Sequence, residues 1–385
     1  MIDFELTSEQ KLLKDTAKDF ADHEIMPGAR DRDRKAEFPN DIIAKLGALG
    51  FLGPLVPEQY GGMGADFMSE AIIFEEVGRA DSSVRTTLSV QISLCEAPIL
   101  KYGNEEQKRK YLPKLASGEW LGCFGLTEPQ AGSDAANQQT TCRRDGDHWV
   151  LNGHKMWISN GTKSKVAIIF AQGDPSKKHR GISAFLVEND TPGFESFEIH
   201  GKLGLRSSAT AELKLTDVRV HDAQRLGEIG QGFNIAMYAL DNGRFGVASG
   251  CVGILQGCVD ASVKYAKERH AFNRPIAGFQ LVQELIADMY LDLEAARLLV
   301  YRAGAKKNTG DPAHIETSLA KWYASEAAVR AALNTIQVHG GYGYSDEYPG
   351  ERYLRDAKVA TLYEGTTQIQ KLIIGRHLTG ISAFV

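Results

Sequence analysis

Apolar side chains recur at helical spacing through the first third of the chain. Leu13, Ala17 and Phe20 follow a capping-box pair, Thr7 and Gln10, and predict a helix. Ile42, Ile43, Leu46 and Leu49 make a second amphipathic face that stops at Gly50; Phe67, Ala71, Phe74 and Val77 make a third. Between them Pro57-Glu58-Gln59-Tyr60-Gly61-Gly62-Met63-Gly64 reads as a loop. Near residue 119 the period changes. Trp149-Val150-Leu151 and His154-Lys155-Met156-Trp157-Ile158 flank Asn152-Gly153, which predicts a hairpin turn. Val166–Phe170 and Ile182–Val187 predict further strands, and Leu213, Leu215, Val218 and Val220 a strand pair around Asp217. Helical periodicity returns in long pieces, 232–269, 278–309 and 312–338, broken at Asn273-Arg274-Pro275 and Gly310-Asp311-Pro312. A last helix is expected after Glu364. The pattern predicts an α+β, mainly α fold. It has a helical domain over 1–118, a β-barrel-like domain over 119–230 and a four-helix bundle over 231–385.

Composition narrows the function without naming it. With 385 residues, 43% hydrophobic and 24% charged, the chain has room for two or three domains. A net charge of −5 argues against nucleic acid as a main partner. Met1-Ile2-Asp3-Phe4-Glu5 lacks the basic region and apolar run of a leader, and no stretch reads as long enough to cross a membrane. A cytoplasmic protein is expected, with no membrane insertion; a mature mitochondrial matrix form is the other option. The five cysteines are odd in number and irregular in spacing, and read as reduced core thiols. No Cys-x-x-Cys or His-Glu-x-x-His occurs, so no metal site is expected. Walker and Gly-x-Ser-x-Gly motifs are also missing. Gly230-Gln231-Gly232 lacks the third glycine and the strand–turn–helix setting of a dinucleotide fingerprint. Gly340-Gly341-Tyr342-Gly343-Tyr344 follows a helix and reads as its stop and a loop.

The sharpest chemical feature is Glu364, in Tyr363-Glu364-Gly365-Thr366-Thr367-Gln368. Thr367 and Gln370 have capping-box spacing, with Leu372, Ile373 and Ile374 behind them. Gly365 lets another group approach the backbone. A carboxylate beside helix N–H donors suits removal of a proton next to a carbonyl. The plainer alternative is a glutamate that complements the helix dipole.

Five segments, in order and spanning nearly the whole chain, resemble the acyl-CoA dehydrogenase family. They are Leu126-Thr127-Glu128-Pro129-Gln130-Ala131-Gly132-Ser133-Asp134, Lys155–Gly161, Tyr265–Arg269, Gln337–Tyr344 and Tyr363–Gln370. The resemblance implies a flavoprotein that binds FAD and oxidises an acyl-CoA to its 2,3-enoyl form. It implies a homotetramer that passes electrons to an electron-transfer flavoprotein. It implies that Glu364 takes the α-proton while flavin N5 takes the β-hydride. Some members carry the base on another helix, at a position that is Gly243 here, and glycine cannot act as a base.

The same resemblance implies the other site residues. Phe124, Leu126 and Thr127 match the loop at the flavin ring, Gly132 and Ser133 a turn that meets phosphate and substrate, and Trp157 and Ser159 the strand beside the ring. Arg269, Phe272, Gln280, Gln337, Gly340 and Gly341 match contacts to the FAD of a neighbouring subunit, and Thr366 and Gln368 contacts after the base. Asp241 and Arg244 match the CoA-binding pair; Gly365 and Arg376 join them. Phe272-Asn273 departs from the usual Phe-Gly, and His339 from a commonly apolar or small residue.

The acyl group is less well marked. Asp81–Gln91 resembles the glutaryl-CoA dehydrogenase branch, where residues at the places of Arg85 and Ser89 hold a distal carboxylate. A buried arginine facing an acyl pocket is costly unless an anion pairs with it; the alternative is an exposed Arg85. Gly78 stands where that branch has an acid, and Thr367–Gln370 follows the short-chain pattern. A short-chain or branched acyl-CoA dehydrogenase is therefore expected, with a dicarboxylyl-CoA enzyme as runner-up. A silent acyl-CoA-binding flavoprotein and an oxidase complete the alternatives.

Overall fold

The computed structural model describes residues 5–383; Met1–Phe4, on which the reading of the leader rests, lie outside them. Seven α-helices form the first part: α1 Ser8–Phe20, α2 Ala29–Lys35, α3 Asn40–Ala48, α4 Phe67–Ala80, α5 Ser82–Ser89, α6 Ala97–Tyr102 and α7 Glu105–Ala116. The Thr7–Gln10 capping box at α1 forms as expected. A π-helical stretch, Val90–Glu96, joins α5 to α6.

Eight strands follow: β1 Gly122–Gly125, β2 Thr141–Asp145, β3 His148–Ser159, β4 Val166–Gln172, β5 Ile182–Glu188, β6 Phe194–Glu198, β7 Thr210–His221 and β8 Arg225–Leu226. The sheet runs β6-β7-β3-β2-β4-β5-β8, with β1 parallel beside β4. Two sequence expectations fail here for one reason. Asn152-Gly153 is not a turn; it lies inside β3, and the hairpin turns at Gly146-Asp147. Likewise 213–220 is not a strand pair but part of β7. β3 and β7 pair along their length with an irregularity at Leu151/Gly153. There Asn152 Nδ2 donates to Asp217 Oδ1, and the Asp217 N–H donates to Asn152 Oδ1. Asp217 takes φ +49, so turn-forming residues serve a bulge between long strands.

The last part holds α8 Gly232–Glu268, α9 Gln280–Asn308, α10 His314–His339, α11 Gly350–Ala360 and α12 Thr367–Thr379. The three long helices and α12 match the periodicity closely. The short α11 was not foreseen; it packs on α10 and α8. Gly340 stops α10 at φ +61, and Gly340–Tyr344 then forms a 3-10 turn. α8 corrects the expectation that no stretch is long enough for a membrane. It is long and apolar enough, but 78% of its most apolar window is buried in this fold. It crosses α4 closely: a Cβ on Gly78 would sit 2.8 Å from the Gly250 carbonyl oxygen. A larger side chain at 78 has no room.

One apolar cluster draws on all three parts. Val90, Leu94, Tyr111 and Leu115 meet Phe124, Val166, Phe170 and Ile182 of the sheet and Ile235 and Ala239 of α8. The five cysteines are buried and free.

Candidate active site

At the edge of that cluster lies a cavity of about 110 Å³. The π-helical stretch supplies Val90 and Leu94, and α5 supplies Arg85 and Ser89. β1 and the loop after it supply Phe124, Leu126 and Thr127; β3 supplies Trp157 and Ser159; α8 supplies Leu240. Tyr363 and Glu364 complete the wall. Eight residues marked from sequence thus meet in one place.

Local backbone explains how two of them face the cavity. Trp157 takes φ +62 at a second irregularity of the β3–β7 pairing, and its side chain is 58% exposed. Glu364 takes φ +53 and Gly365 φ +88. Left-handed backbone at a tryptophan and a glutamate is costly, and such strain clusters at functional sites. The Glu364 carbonyl accepts from Arg244 Nε at 3.2 Å and Gln370 Nε2 at 3.2 Å. The Gly365 carbonyl accepts from Gln370 Nε2 at 2.9 Å and Lys321 Nζ at 2.8 Å. The capping box proposed at Thr367 and Gln370 does not form. Thr366 caps α12 by accepting from the Ile369 N–H, Thr367 Oγ1 donates to Glu326, and Gln370 reaches back to the turn. The helix begins one residue earlier than its sequence signal suggests, with Thr366 as the cap, and Gln370 is taken up by the strained turn.

Electrostatics set the carboxylate apart. Glu364 Oε2 is buried with no hydrogen-bond partner among the described residues. Burial pushes its carboxyl up to about 7, against the pull of Arg85, Lys321 and Arg244. A Cβ at Gly243 would fall 1.9 Å from Glu364 Oε2, so the carboxylate fills the space a side chain there would occupy. Arg85 is 2% exposed, which settles against an exposed arginine. Its Nη2 donates to the Tyr363 hydroxyl at 2.7 Å, while its Nε and Ser89 Oγ are buried without hydrogen-bond partners among the described residues.

The remaining marked residues lie elsewhere. Arg269, Gly340 and Gly341 line a separate open cleft of about 680 Å³ with Tyr265, His339 and Tyr342. Phe272 is 90% exposed, and Gln280, Gln337, Gln368 and Arg376 are exposed on their helices. Gly132 and Ser133 sit on an exposed loop. Asp241 accepts from Thr317 Oγ1 at 2.7 Å. Sequence reasoning missed Lys321. Its signal was a lysine amid Thr317, Ala320, Ala324 and Ala328, a buried helical stripe where a charge is out of place.

Family models match almost end to end: the acyl-CoA dehydrogenase N-terminal domain over residues 7–119, the middle domain over 123–218 and the C-terminal domain over 230–379. The chain belongs to the acyl-CoA dehydrogenase family. It is 47% identical to an acyl-CoA dehydrogenase of Bacillus subtilis, over 97% of this chain and 99% of the relative. Among solved structures, butyryl-CoA dehydrogenase from Megasphaera elsdenii superposes with a TM-score of 0.96 at 42% identity, covering 98% of this chain and 100% of that one. A glutaryl-CoA dehydrogenase in complex with glutaryl-CoA superposes with a TM-score of 0.95 at 39% identity, covering 98% and 97%. Family membership makes the chain an FAD-dependent oxidoreductase. The relatives with short-chain and glutaryl substrates flank the two substrate readings without separating them.

Proposed function

We propose that this chain converts a short-chain or branched acyl-CoA to its 2,3-enoyl-CoA, with Glu364 as the base. The observation that carries the reading is the buried, unpartnered Oε2 of Glu364 on the cavity wall. A carboxylate without hydrogen-bond donors is a stronger base than a solvated one, and a pKa near 7 suits proton transfer at neutral pH.

The chain's own groups divide the work. Glu364 Oε2 takes the α-proton of the thioester. The Glu364 N–H is the donor for the thioester oxygen as it gains charge. Arg244 and Gln370 hold the base through its carbonyl. Phe124, Leu126, Trp157 and Val90 keep water from the acyl group. Asp241, Arg244 and Arg376 are the CoA contacts.

The lining that this cavity shares with Glu364 suits FAD. The uncovered face of Trp157 and the side chains of Phe124 and Leu126 offer an apolar surface, with Thr127 and Ser159 at its edge. When bound there, FAD supplies the acceptor for the β-hydrogen as hydride. Gly132 and Ser133 would meet its phosphates. Arg269, Phe272, Gln280, Gln337, Gly340 and Gly341 would reach the FAD of a neighbouring subunit, which fits a homotetramer; Leu291 and Leu298, seven residues apart and exposed on α9, support self-association. The electron acceptor is an electron-transfer flavoprotein.

A second reading has its own observation. Arg85 Nε and Ser89 Oγ, both buried and unpartnered on this wall, favour an acyl group that ends in a carboxylate. Anaerobic bleaching of bound flavin by a panel of straight, branched and dicarboxylic acyl-CoAs tests both. Bleaching by butyryl- or isobutyryl-CoA supports the main reading, and bleaching by glutaryl-CoA alone supports the second. A spectral shift without bleaching by any of them would leave a binder rather than an enzyme.

A further inference from the structure

Lys321 lies fully buried on α10, and among the described residues its Nζ hydrogen-bonds to the carbonyl oxygen of Gly365, at 2.8 Å. No carboxylate stands within ion-pair distance of that Nζ among the described residues. This is an expensive way to hold a carbonyl. A buried ammonium without a counter-ion costs several kcal/mol, and a neutral amide donates the same hydrogen bond at lower cost. Gln370 does so on the same oxygen, at 2.9 Å. The clamp on Gly365 therefore does not by itself account for a positive charge at this place.

What the charge faces does account for it. The Gly365 carbonyl belongs to the left-handed pair that aims Glu364 into the cavity. The groups acting on that carboxylate are Arg85 from α5, Arg244 from α8 and Lys321 from α10, with Tyr363 beside it; Lys321 itself also feels Cys251 of α8 and Glu326 of α10, the latter held by Thr367 Oγ1. Each cation has a separate attachment. Arg85 donates to the Tyr363 hydroxyl, Arg244 to the Glu364 carbonyl and Lys321 to the Gly365 carbonyl. None donates to the carboxylate itself, so Oε2 stays free to accept a proton.

We infer that Lys321 is a positioning residue for the base: it pins the Glu364–Gly365 turn through one carbonyl and supplies a through-space positive charge that keeps the neighbouring carboxylate ionised. The inference rests on the proposed role of Glu364. It adds a residue whose charge, rather than its hydrogen bond alone, matters to the reaction. Burial of Lys321 brings its own pKa down to about 8, so the ammonium is still present through neutral pH.

The test separates charge from hydrogen bonding. Lys321→Gln keeps a donor and loses the charge; Lys321→Arg keeps the charge. Each FAD-loaded variant is titrated between pH 5.5 and 9 by infrared difference spectroscopy against its Glu364→Gln counterpart, which reads the Glu364 carboxyl directly. Flavin bleaching by butyryl-CoA is followed over the same range. In Lys321→Gln the Glu364 titration and the acid limb of bleaching are expected to move up by about one unit, the lower end of the effect of an opposite charge a few ångströms away. In Lys321→Arg both stay at the wild-type position even where the rate falls. A Lys321→Gln protein that holds FAD but titrates as wild type overturns the inference. Where Lys321→Gln does not fold, a Lys321→Arg titration displaced upward by the same unit overturns it. Absence of bleaching in the wild type defeats the proposed function instead, and the infrared titration still decides the role of Lys321.

Discussion

Two buried polar sites sit on either side of the Leu126–Glu128 loop, and they are built in opposite ways. Behind the loop, Lys155 is fully buried and donates to Glu128 Oε1 at 2.7 Å, Gln138 Oε1 at 3.0 Å and the Leu126 carbonyl at 3.2 Å. Glu128 also accepts from the Gln139 and Thr140 N–H groups and from Gln130 Nε2. In front of the loop, Glu364 Oε2, Arg85 Nε and Ser89 Oγ have no hydrogen-bond partner among the described residues. The first site is closed on itself and holds a loop in place. The second is open on the side of a cavity, and its polar groups are complete only with something else bound. Burial alone does not distinguish the two; where the last hydrogen bonds go does.

That contrast can be broken in several ways. Glu364→Gln should keep FAD and acyl-CoA binding while flavin bleaching slows by about 10⁴-fold, the upper range for loss of a general base. Stopped-flow absorbance reads this. Lys155→Met should leave Glu128 as an uncompensated buried charge and cost about 3–5 kcal/mol in denaturant unfolding. Stability within experimental error of wild type would show that the closed site is not structural. Arg85→Met should leave the alkaline limit of butyryl-CoA bleaching within a few-fold of wild type, with the acid limb displaced upward because the pull of Arg85 on Glu364 is lost. On the second substrate reading it should slow glutaryl-CoA bleaching by about 10²-fold, the cost of leaving a buried carboxylate unpaired.

The smallest effects are in pH, and they have opposite signs. Burial raises the Glu128 carboxyl, but Lys155 and the N–H donors outweigh it and leave it below the ordinary value. Its contribution to stability is present above the unfolded carboxylate pKa and is lost as pH falls through the folded value. Glu364 is raised to about 7, so it contributes below the unfolded value and loses that contribution as pH rises through about 7. The Glu364→Gln change should therefore remove a fall in stability between the ordinary carboxylate range and about pH 7, and leave the curve below that range unchanged. Thermal unfolding between pH 4 and 8.5 checks this.

Much of this molecule was legible in its chain. Long periodic helices declared themselves because Leu, Ala and Val recur on one face over many turns; α8, α9 and α10 fall within a few residues of expectation. The sheet was legible in content and not in connection. Asn152-Gly153 and Asp217 have the chemistry of a turn, and only the facing strand shows that they make a bulge. In the site, Glu364, Arg85, Ser89 and the flavin-loop residues were marked by their segments. Lys321 was not, because its role depends on a turn 44 residues away whose left-handed backbone no local pattern announces. Of the residues expected to meet a neighbouring subunit's cofactor, Arg269, Gly340 and Gly341 share one open cleft away from Glu364.

The central claim is that Glu364 removes the α-proton, and proton removal can be read apart from the redox step. Acetyl-CoA has α-hydrogens and no β-carbon, so it can lose a proton and has no β-hydride to give. Incubated with FAD-loaded protein in D₂O, it should acquire deuterium at the methyl group, followed by mass spectrometry, and Glu364→Gln should reduce that exchange to background. Exchange at the wild-type rate in the Glu364→Gln protein would contradict the account.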